Sequence, residues 1–493
     1  MLLGILVLLV LRSFAILTIP PGGDEVLYLY MADDIAQGVR FPLYTYEQQV
    51  LGTLNSWSLV PFLKLFGLSW PGVRFYYGLF YLAFMGMYLW IARRLFSREL
   101  VNNLFVLLSI LPFPMLFFTT IPCWMDVPFL AILSLLILVK MADQTSSQSV
   151  WPSLALGFVS GIGIWCNPLF VIWMVPAGIS VMGLIPGKKI RPAIGFFLGF
   201  LAGLFPVWIH GLQTGTLMNL DRKGGSGFVS LEALPQALYL FFSRMKYALS
   251  TFSFGPISPL VDGLLRAFSW IPFLIFSFSF AFFFFDFLKT RRDQTLPRRI
   301  FYHFIIIPPV IFAVLYSSRN FSSTRDEGMR FFLQLLIPYS FAVAWQLERL
   351  KPEFLKKGLS GLLLGILLGG NLFSGWMLSR RGSELREVVR FLEREKLQFG
   401  IADMGIAYPL NVLSGHRIIT TPLPHHAAAR SIWEKVKAAG PRYLVLEREN
   451  PQLRKELERD SNLKKDSVGS YDVFYGESDY LTSILDVQEP ILG

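Results

Sequence analysis

Cysteine is almost missing from this chain. Its 493 residues include 2, Cys123 and Cys166, and both sit in apolar surroundings. Two thiols are too few for a thiolate metal site and demand no disulfide, so a disulfide-stapled secreted module is excluded. Charge is scarce as well: Asp, Glu, Lys and Arg make up 16% of the residues, against roughly 25% in ordinary soluble domains. That shortage argues against a soluble enzyme and against a disordered scaffold. Internal repeats of fixed period and low-complexity linkers are lacking too.

What the chain has in quantity is apolar surface. Hydrophobic residues are 53% of it, with 46 Phe and 12 Trp. Such a composition is buried in lipid, and the bilayer is the first partner the sequence implies. The formal net charge is +11, but the basic residues cluster between apolar runs, as they do in polytopic membrane proteins. Nucleic acid is therefore not an expected partner.

A bilayer core needs about 20 apolar residues per helix. Candidate spans lie near 2–20, 73–92, 101–120, 127–141, 152–166, 168–184, 192–211, 264–287, 300–316, 331–348 and 359–378. The stretch 152–184 reads as two short helices, because proline disfavours helix at the residue before it and Asn167-Pro168 stands in the middle. Charge supports that break. With two helices there, Arg93, Arg94 and Arg98, then Lys140, then Lys188, Lys189 and Arg191 all fall on one side. Lys289, Arg291, Arg292, Arg298 and Arg299, followed by Arg349, Lys351, Lys356 and Lys357, join them. Lys/Arg excess marks the cytoplasmic face. The expectation is a polytopic α-helical protein of about eleven spans with its N-terminus inside. The first span lacks a basic n-region and a small-residue cleavage pattern, so it reads as an uncleaved anchor and not as a signal peptide.

On the outer face three segments are long enough to carry function: 21–71, 213–262 and 317–329. Residues 379–493 become charged and soluble-looking, and read as a small α/β domain appended to the membrane part at 1–378. Within it an amphipathic helix is expected at 383–396, strands at 397–402, 417–421, 442–447 and 471–475, and a helix at 427–439.

The most informative stretch is Pro21-Pro-Gly-Gly-Asp-Glu-Val-Leu-Tyr-Leu-Tyr-Met-Ala-Asp-Asp34. Gly22-Gly23 ends the first span, and Asp24 stands where a helix N-cap is preferred. Leu27, Tyr30 or Met31, and Ile35 follow at helical spacing, as in a helix lying in the interface plane. A second such helix is expected from Leu54 to Phe66, ending at Gly67. On the plainer reading Asp24 caps the helix and Glu25 favours its positive end. On the functional reading, two carboxylates at the lipid–water boundary reach both a lipid-linked substrate and a soluble hydroxyl, and one acts as a general base. Asp33 and Asp34 read as a solvated face of the same helix.

An apolar first span, an Asp-Glu pair opening an interfacial helix and a Tyr-x-x-x-Ala continuation resemble the GT-C glycosyltransferases. More narrowly, they resemble the branch that holds protein O-mannosyltransferases and the lipid A aminoarabinose transferase. The resemblance continues at Phe41-Pro-Leu-Tyr-Thr-Tyr-Glu47, Leu59-Val-Pro-Phe-Leu-Lys-Leu-Phe-Gly67, Cys123-Trp-Met-Asp-Val-Pro128, 161–168 and Arg330-Phe-Phe-Leu-Gln-Leu-Leu-Ile-Pro338. It covers most of residues 1–350 through short motifs. Family members often carry His-Pro-Pro or Lys-Pro-Pro just after the position of Glu47, whereas this chain has Gln48-Gln49-Val50. Acceptor specificity is therefore not carried over.

The resemblance implies a GT-C-like fold and an inverting transfer of a sugar from a polyprenyl-phosphate carrier to a hydroxyl of a glycan, lipid or protein acceptor. The expected location is the periplasmic face of the bacterial inner membrane. Asp24 would be the base, with Glu25 orienting it or binding the acceptor. The leaving phosphate needs cations. Arg244 and Lys246, Arg319, or Arg325 and Arg330 are placed to supply them, with Arg325 and Arg330 favoured. Their alternative role is contact with ordinary phospholipid headgroups. Asp126 reads either as a cap to the helix that Pro128 opens or as a substrate-binding acid, and Glu47 is a further substrate-binding candidate. No cofactor is expected. Some relatives hold a divalent ion near the lipid phosphate, for which His210 and Glu47 are the candidate ligands here, but a lone histidine at a helix end reads more simply as just hydrogen-bonded. A transporter or flippase of lipid-linked sugars is the competing reading. It is disfavoured because acids gather at one interface while the spans stay nearly free of charge.

Overall fold

A computed structural model describes residues 23–45, 48–67, 70–112, 115–116, 119, 125–143, 150–184, 190–215, 235, 239, 241–242, 245, 270–318, 329–423, 430–447 and 451–487. Helices α1 (Gly23–Gln37) and α2 (Leu54–Phe66) come first, with β1 (Tyr44–Thr45) and β2 (Gln48–Gly52) between them. Then follow α3 (Trp70–Leu95), α4 (Arg98–Ser109), α5 (Asp126–Asp143), α6 (Val150–Cys166), α7 (Val171–Ile179), α8 (Ile190–Gly203) and α9 (Phe205–Thr214). The helical part closes with α10 (Trp270–Thr290), α11 (Leu296–Ser318), a 3-10 turn (Met329–Leu335), α12 (Leu336–Arg349) and α13 (Glu353–Arg394).

This is a multi-pass membrane protein. Among the described residues 4 helices are long and apolar enough to cross a bilayer: Gly72–Leu95, Trp270–Thr290, Leu296–Leu315 and Glu353–Arg394. Ile190–Gly203 and Phe205–Thr214, bent by 46° at their junction, make a fifth if taken as one span. The expected number was about eleven. The first predicted span lies outside the described residues. Predicted span 101–120 is interrupted: α4 ends at Ser109 with an irregular Ile110 cap, Pro112 stands just beyond, and Met115 and Leu116 are helical again. The break at Asn167-Pro168 is present: Asn167 is extended and its side chain accepts a hydrogen bond from the Leu169 amide at 3.0 Å, starting a 3-10 turn at Pro168–Phe170.

The chain divides into two compact units. The first comprises 1–15, 49–54 and 74–374; the second comprises 16–48, 55–73 and 375–493. In the first unit α6 and α8 cross with backbones almost touching. A Cβ on Gly157 would stand 1.9 Å from the Phe196 carbonyl oxygen, and one on Gly203 2.3 Å from that of Phe158. Small residues allow such an approach, and in lipid it replaces the missing hydrophobic drive with van der Waals contact. Buried polar bonds tie the other helices. The Tyr88 hydroxyl donates to the Ile337 carbonyl at 2.8 Å, and that of Tyr81 to the Leu108 carbonyl at 2.6 Å.

The basic clusters of this unit are linked to one another across helices. Arg94 pairs with Asp143 at 2.9 Å and Arg349 with Asp286 at 2.8 Å. Arg298 donates to the Leu95 carbonyl at 2.7 Å, and Lys356 pairs with Glu99. Helix ends that carry several of these basic clusters are thus held together.

The second unit contains a five-stranded sheet, built from β3 (Phe399–Asp403), β4 (Ile419–Leu423), β5 (Tyr443–Glu447), β6 (Lys464–Val468) and β7 (Tyr471–Tyr475). Its order is β4-β3-β5-β7-β6. The first three strands are parallel, with Ile401 opposite Thr421 and Leu444, and β7 and β6 join antiparallel. Helix α14 (Met404–Leu413) follows β3 directly, capped by Asp403, whose carboxylate accepts from the Gly405 amide at 2.8 Å. Helices α15 (Arg430–Ala439), α16 (Pro451–Leu457) and α17 (Asp479–Val487) complete the unit. One apolar layer joins Leu385, Val388 and Leu392 of α13 with Ile406, Leu410, Val445 and Val473. The other joins Ile401, Leu444 and Phe474 with Val436, Leu481 and Leu485. The predicted span at 359–378 and the predicted amphipathic helix at 383–396 are one helix of 42 residues, α13.

Candidate active site

Asp24 and Glu25 both lie within helix α1, whose described residues run from Gly23 to Gln37. Glu25 is 0% exposed. The helix is also more deeply buried than an interfacial helix with one wet face: Val26, Leu27, Tyr28, Leu29, Met31, Ala32 and Ile35 are all inside. Asp33 and Asp34 are half-buried, and Asp33 accepts from the Gln37 amide at 2.7 Å. After Gln37 the chain turns at Gly38, which has φ +74°, a value that suits a residue without Cβ.

Helix α2 has the bounds expected from sequence and is followed by Gly67 at φ +73°. It holds α1 through the Ser56 hydroxyl, which donates to the Tyr28 carbonyl at 3.0 Å. The loop between them is braced by Trp57, whose indole donates to the Pro42 carbonyl at 3.1 Å and whose ring stacks on Phe41. In this loop burial raises the Tyr44 phenol to about 12, so it stays a neutral hydroxyl.

In the first unit Asp126 is buried at 3% exposed and opens α5, with Pro128 in the first turn where a missing amide costs little. It lies within electrostatic reach of Cys166 at the end of α6. The 3-10 turn Met329–Leu335, which includes Arg330, packs against α5. The structure therefore brings together the elements that carry Asp126 and Arg330, and places Asp24 and Glu25 side by side on α1. Glu47, Arg244, Lys246, Arg319 and Arg325 lie outside the described residues, as does the His210–Glu47 pairing through Glu47. Among the described residues no group of three or more His, Cys, Asp or Glu is gathered as a metal would require.

Sequence reasoning passed over Arg74. It belongs to the first turns of α3 and is 0% exposed. The signal was present: a charge inside an apolar span is costly and by default functional.

A helical membrane part and a small α/β sheet unit make up the described chain, and this fold is shared with a solved membrane protein. Among solved structures the chain is similar to ArnT from Cupriavidus metallidurans bound to undecaprenyl phosphate, with TM-score 0.60 and 13% identity over 96% of this chain and 97% of that one. The apo state of the same protein gives TM-score 0.59 and 13% identity over 98% of each chain. No family model and no curated protein matches the sequence.

Proposed function

We propose that this protein is an inverting glycosyltransferase that moves a sugar from a polyprenyl-phosphate carrier to an acceptor hydroxyl at the periplasmic face of a bacterial inner membrane. The observation that carries the reading is the fully buried Glu25, next to Asp24 in α1. A carboxylate is withdrawn from water only where something compensates it, and the pair stands where the resemblance sets the catalytic acids. The shared fold with a protein solved bound to undecaprenyl phosphate supports a lipid phosphate as the donor's carrier.

In the proposed reaction the acceptor oxygen attacks the anomeric carbon and Asp24 takes its proton. The new C–O bond forms as the bond from carbon to the phosphate oxygen breaks, and the lipid phosphate leaves with the electron pair. A single displacement inverts the anomeric centre. Glu25 orients Asp24 or the acceptor, and Asp126 and Glu47 bind substrate. Arg325 and Arg330 steady the departing phosphate through paired N–H donors, with Arg244 and Lys246 as outer contacts. The buried Arg74 joins the candidates for that phosphate. The residues 379–493 form the appended periplasmic domain.

A transporter of lipid-linked sugars is the second reading. The two separate on chemistry. Purified protein in liposomes is given undecaprenyl phosphate bearing a radiolabelled sugar and a lipid extract of the native envelope as acceptor. Label moved into a new covalent product supports the transferase. Label that crosses the bilayer still on its carrier overturns it.

A further inference from the structure

Within the second unit, α1 packs against α14. Val26 and Tyr30, one helical turn apart, pack against Tyr408 of α14, with Val412 and Ile432 beside them. The rings of Tyr30 and Tyr408 meet edge to face at 5.8 Å, and the His416 ring lies tilted at 5.8 Å from Tyr30. Beyond Tyr30 runs a buried polar seam. Asn411 is pinned to β4 at both ends of its amide: its nitrogen donates to the Thr420 carbonyl at 3.0 Å, and its oxygen accepts from the Thr420 amide at 2.6 Å. The Thr420 hydroxyl then meets that of Tyr443 in β5 at 2.6 Å. The seam connects α14 rigidly to two central strands, and Tyr30 is the α1 side chain at its mouth.

We infer that the C-terminal domain is a working part of the transferase: α14, locked to the sheet through Asn411, seats Tyr30 and thereby fixes the rotation of the helix that carries Asp24 and Glu25. This rests on the function proposed above and assigns Tyr30 the part of a positioning residue. Burial raises the Tyr30 phenol well above its usual range, and Asn411 opposes that rise, as expected of a neutral hydroxyl turned toward an amide. The mechanical reason is simple. A carboxylate stands several ångströms from its helix axis, so a roll of about 10° displaces it by about 1 Å, and a displacement of that size can cost roughly 100-fold in rate. The buried packing around α1 limits such a roll, and the contact with α14 adds to it. Ser56 holds one carbonyl, whereas Tyr30 supplies a wide lever against a fixed wall.

The test uses the full-length protein, with undecaprenyl phosphate bearing a radiolabelled sugar as donor. Wild type, Tyr30→Ala and Tyr30→Phe are compared for kcat, for donor KM and for thermal midpoint. Tyr30→Ala is expected to lose at least about tenfold in kcat with donor KM within about twofold, the split that marks lost transition-state alignment. Tyr30→Phe keeps the lever and is expected to recover most of the rate. Amide hydrogen exchange of Gly23–Gln37 should rise in the alanine variant while that of β3–β5 stays unchanged. Normal turnover in Tyr30→Ala, or a loss that appears only with a collapsed midpoint or unprotected strands, overturns the inference. Wild-type protein that transfers no sugar overturns the function itself, before any variant is compared.

Discussion

Gly199 of α8 lies so close to Leu154 of α6 that a methyl group on its Cα would stand 2.0 Å from the Leu154 carbonyl oxygen. Gly161 faces Phe200 in the same way, at 2.4 Å. Gly199→Ala is therefore expected to force the pair apart and destabilise the protein by about 1–3 kcal/mol, despite alanine's better helix propensity. Gly178→Ala in α7 has nothing within 4 Å to meet and should be neutral or slightly stabilising. Thermal melts of the two purified variants decide it. An unchanged midpoint for Gly199→Ala would contradict the close crossing.

Asn371 supplies the second prediction. Its amide donates to the Leu111 carbonyl at 2.9 Å, just past the end of α4, and to the Leu367 carbonyl at 2.7 Å within α13. Asn371→Leu leaves the first carbonyl without its partner in an apolar setting. The expected loss is about 1 kcal/mol, in the range measured for interhelical bonds in membranes. Chemical denaturation in detergent, with Asn371→Gln as a control, measures it.

A third prediction concerns acid. Burial pushes the Asp472 carboxyl up, but the Ser467 hydroxyl and the charges of Lys465 and Arg454 outweigh it and hold the group below its ordinary 3.8. Arg454 lies at 3.2 Å and the Ser467 hydroxyl at 2.7 Å. A depressed carboxylate contributes stability that is complete above the unfolded value and is lost as pH falls through the folded one. The β5–β7–β6 edge should thus lose protection only below about pH 4, and Asp472→Asn should flatten that dependence. Hydrogen exchange of Tyr471–Tyr475 against pH reads it directly.

Orientation yields a fourth. With the basic clusters on the cytoplasmic side, Asp24→Cys should react with an impermeant thiol reagent added outside intact cells. Lys188→Cys should stay protected until the membrane is opened. The reverse pattern would invert the topology.

Much of this was legible in the sequence where a residue imposes geometry by itself. Asn167-Pro168 announced the end of α6, Gly67 the end of α2, and the apolar alternation four of the five strands. The fifth, β6, reads Lys-Lys-Asp-Ser-Val and is exposed along most of its length. An edge strand with no buried face has no periodic signal to offer. Helix α14 was missed for another reason. Pro409 lies inside it and reads as a breaker, yet the sheet packing tolerates it. Arg74 was visible as a charge inside an apolar span, but its full burial depends on neighbours that only the fold supplies. The Asp-Glu pair was conspicuous by composition, whereas the seat of Tyr30 depends on α14, some 380 residues on, and no local pattern records it.

The most direct test is the turnover of Asp24→Asn in membranes supplied with undecaprenyl phosphate bearing a radiolabelled sugar. Asparagine keeps the size of the side chain and removes its basicity. Loss of a general base is expected to lower transfer by about 100-fold or more, with donor binding retained. Transfer at the wild-type rate would contradict the assignment of Asp24 as the base.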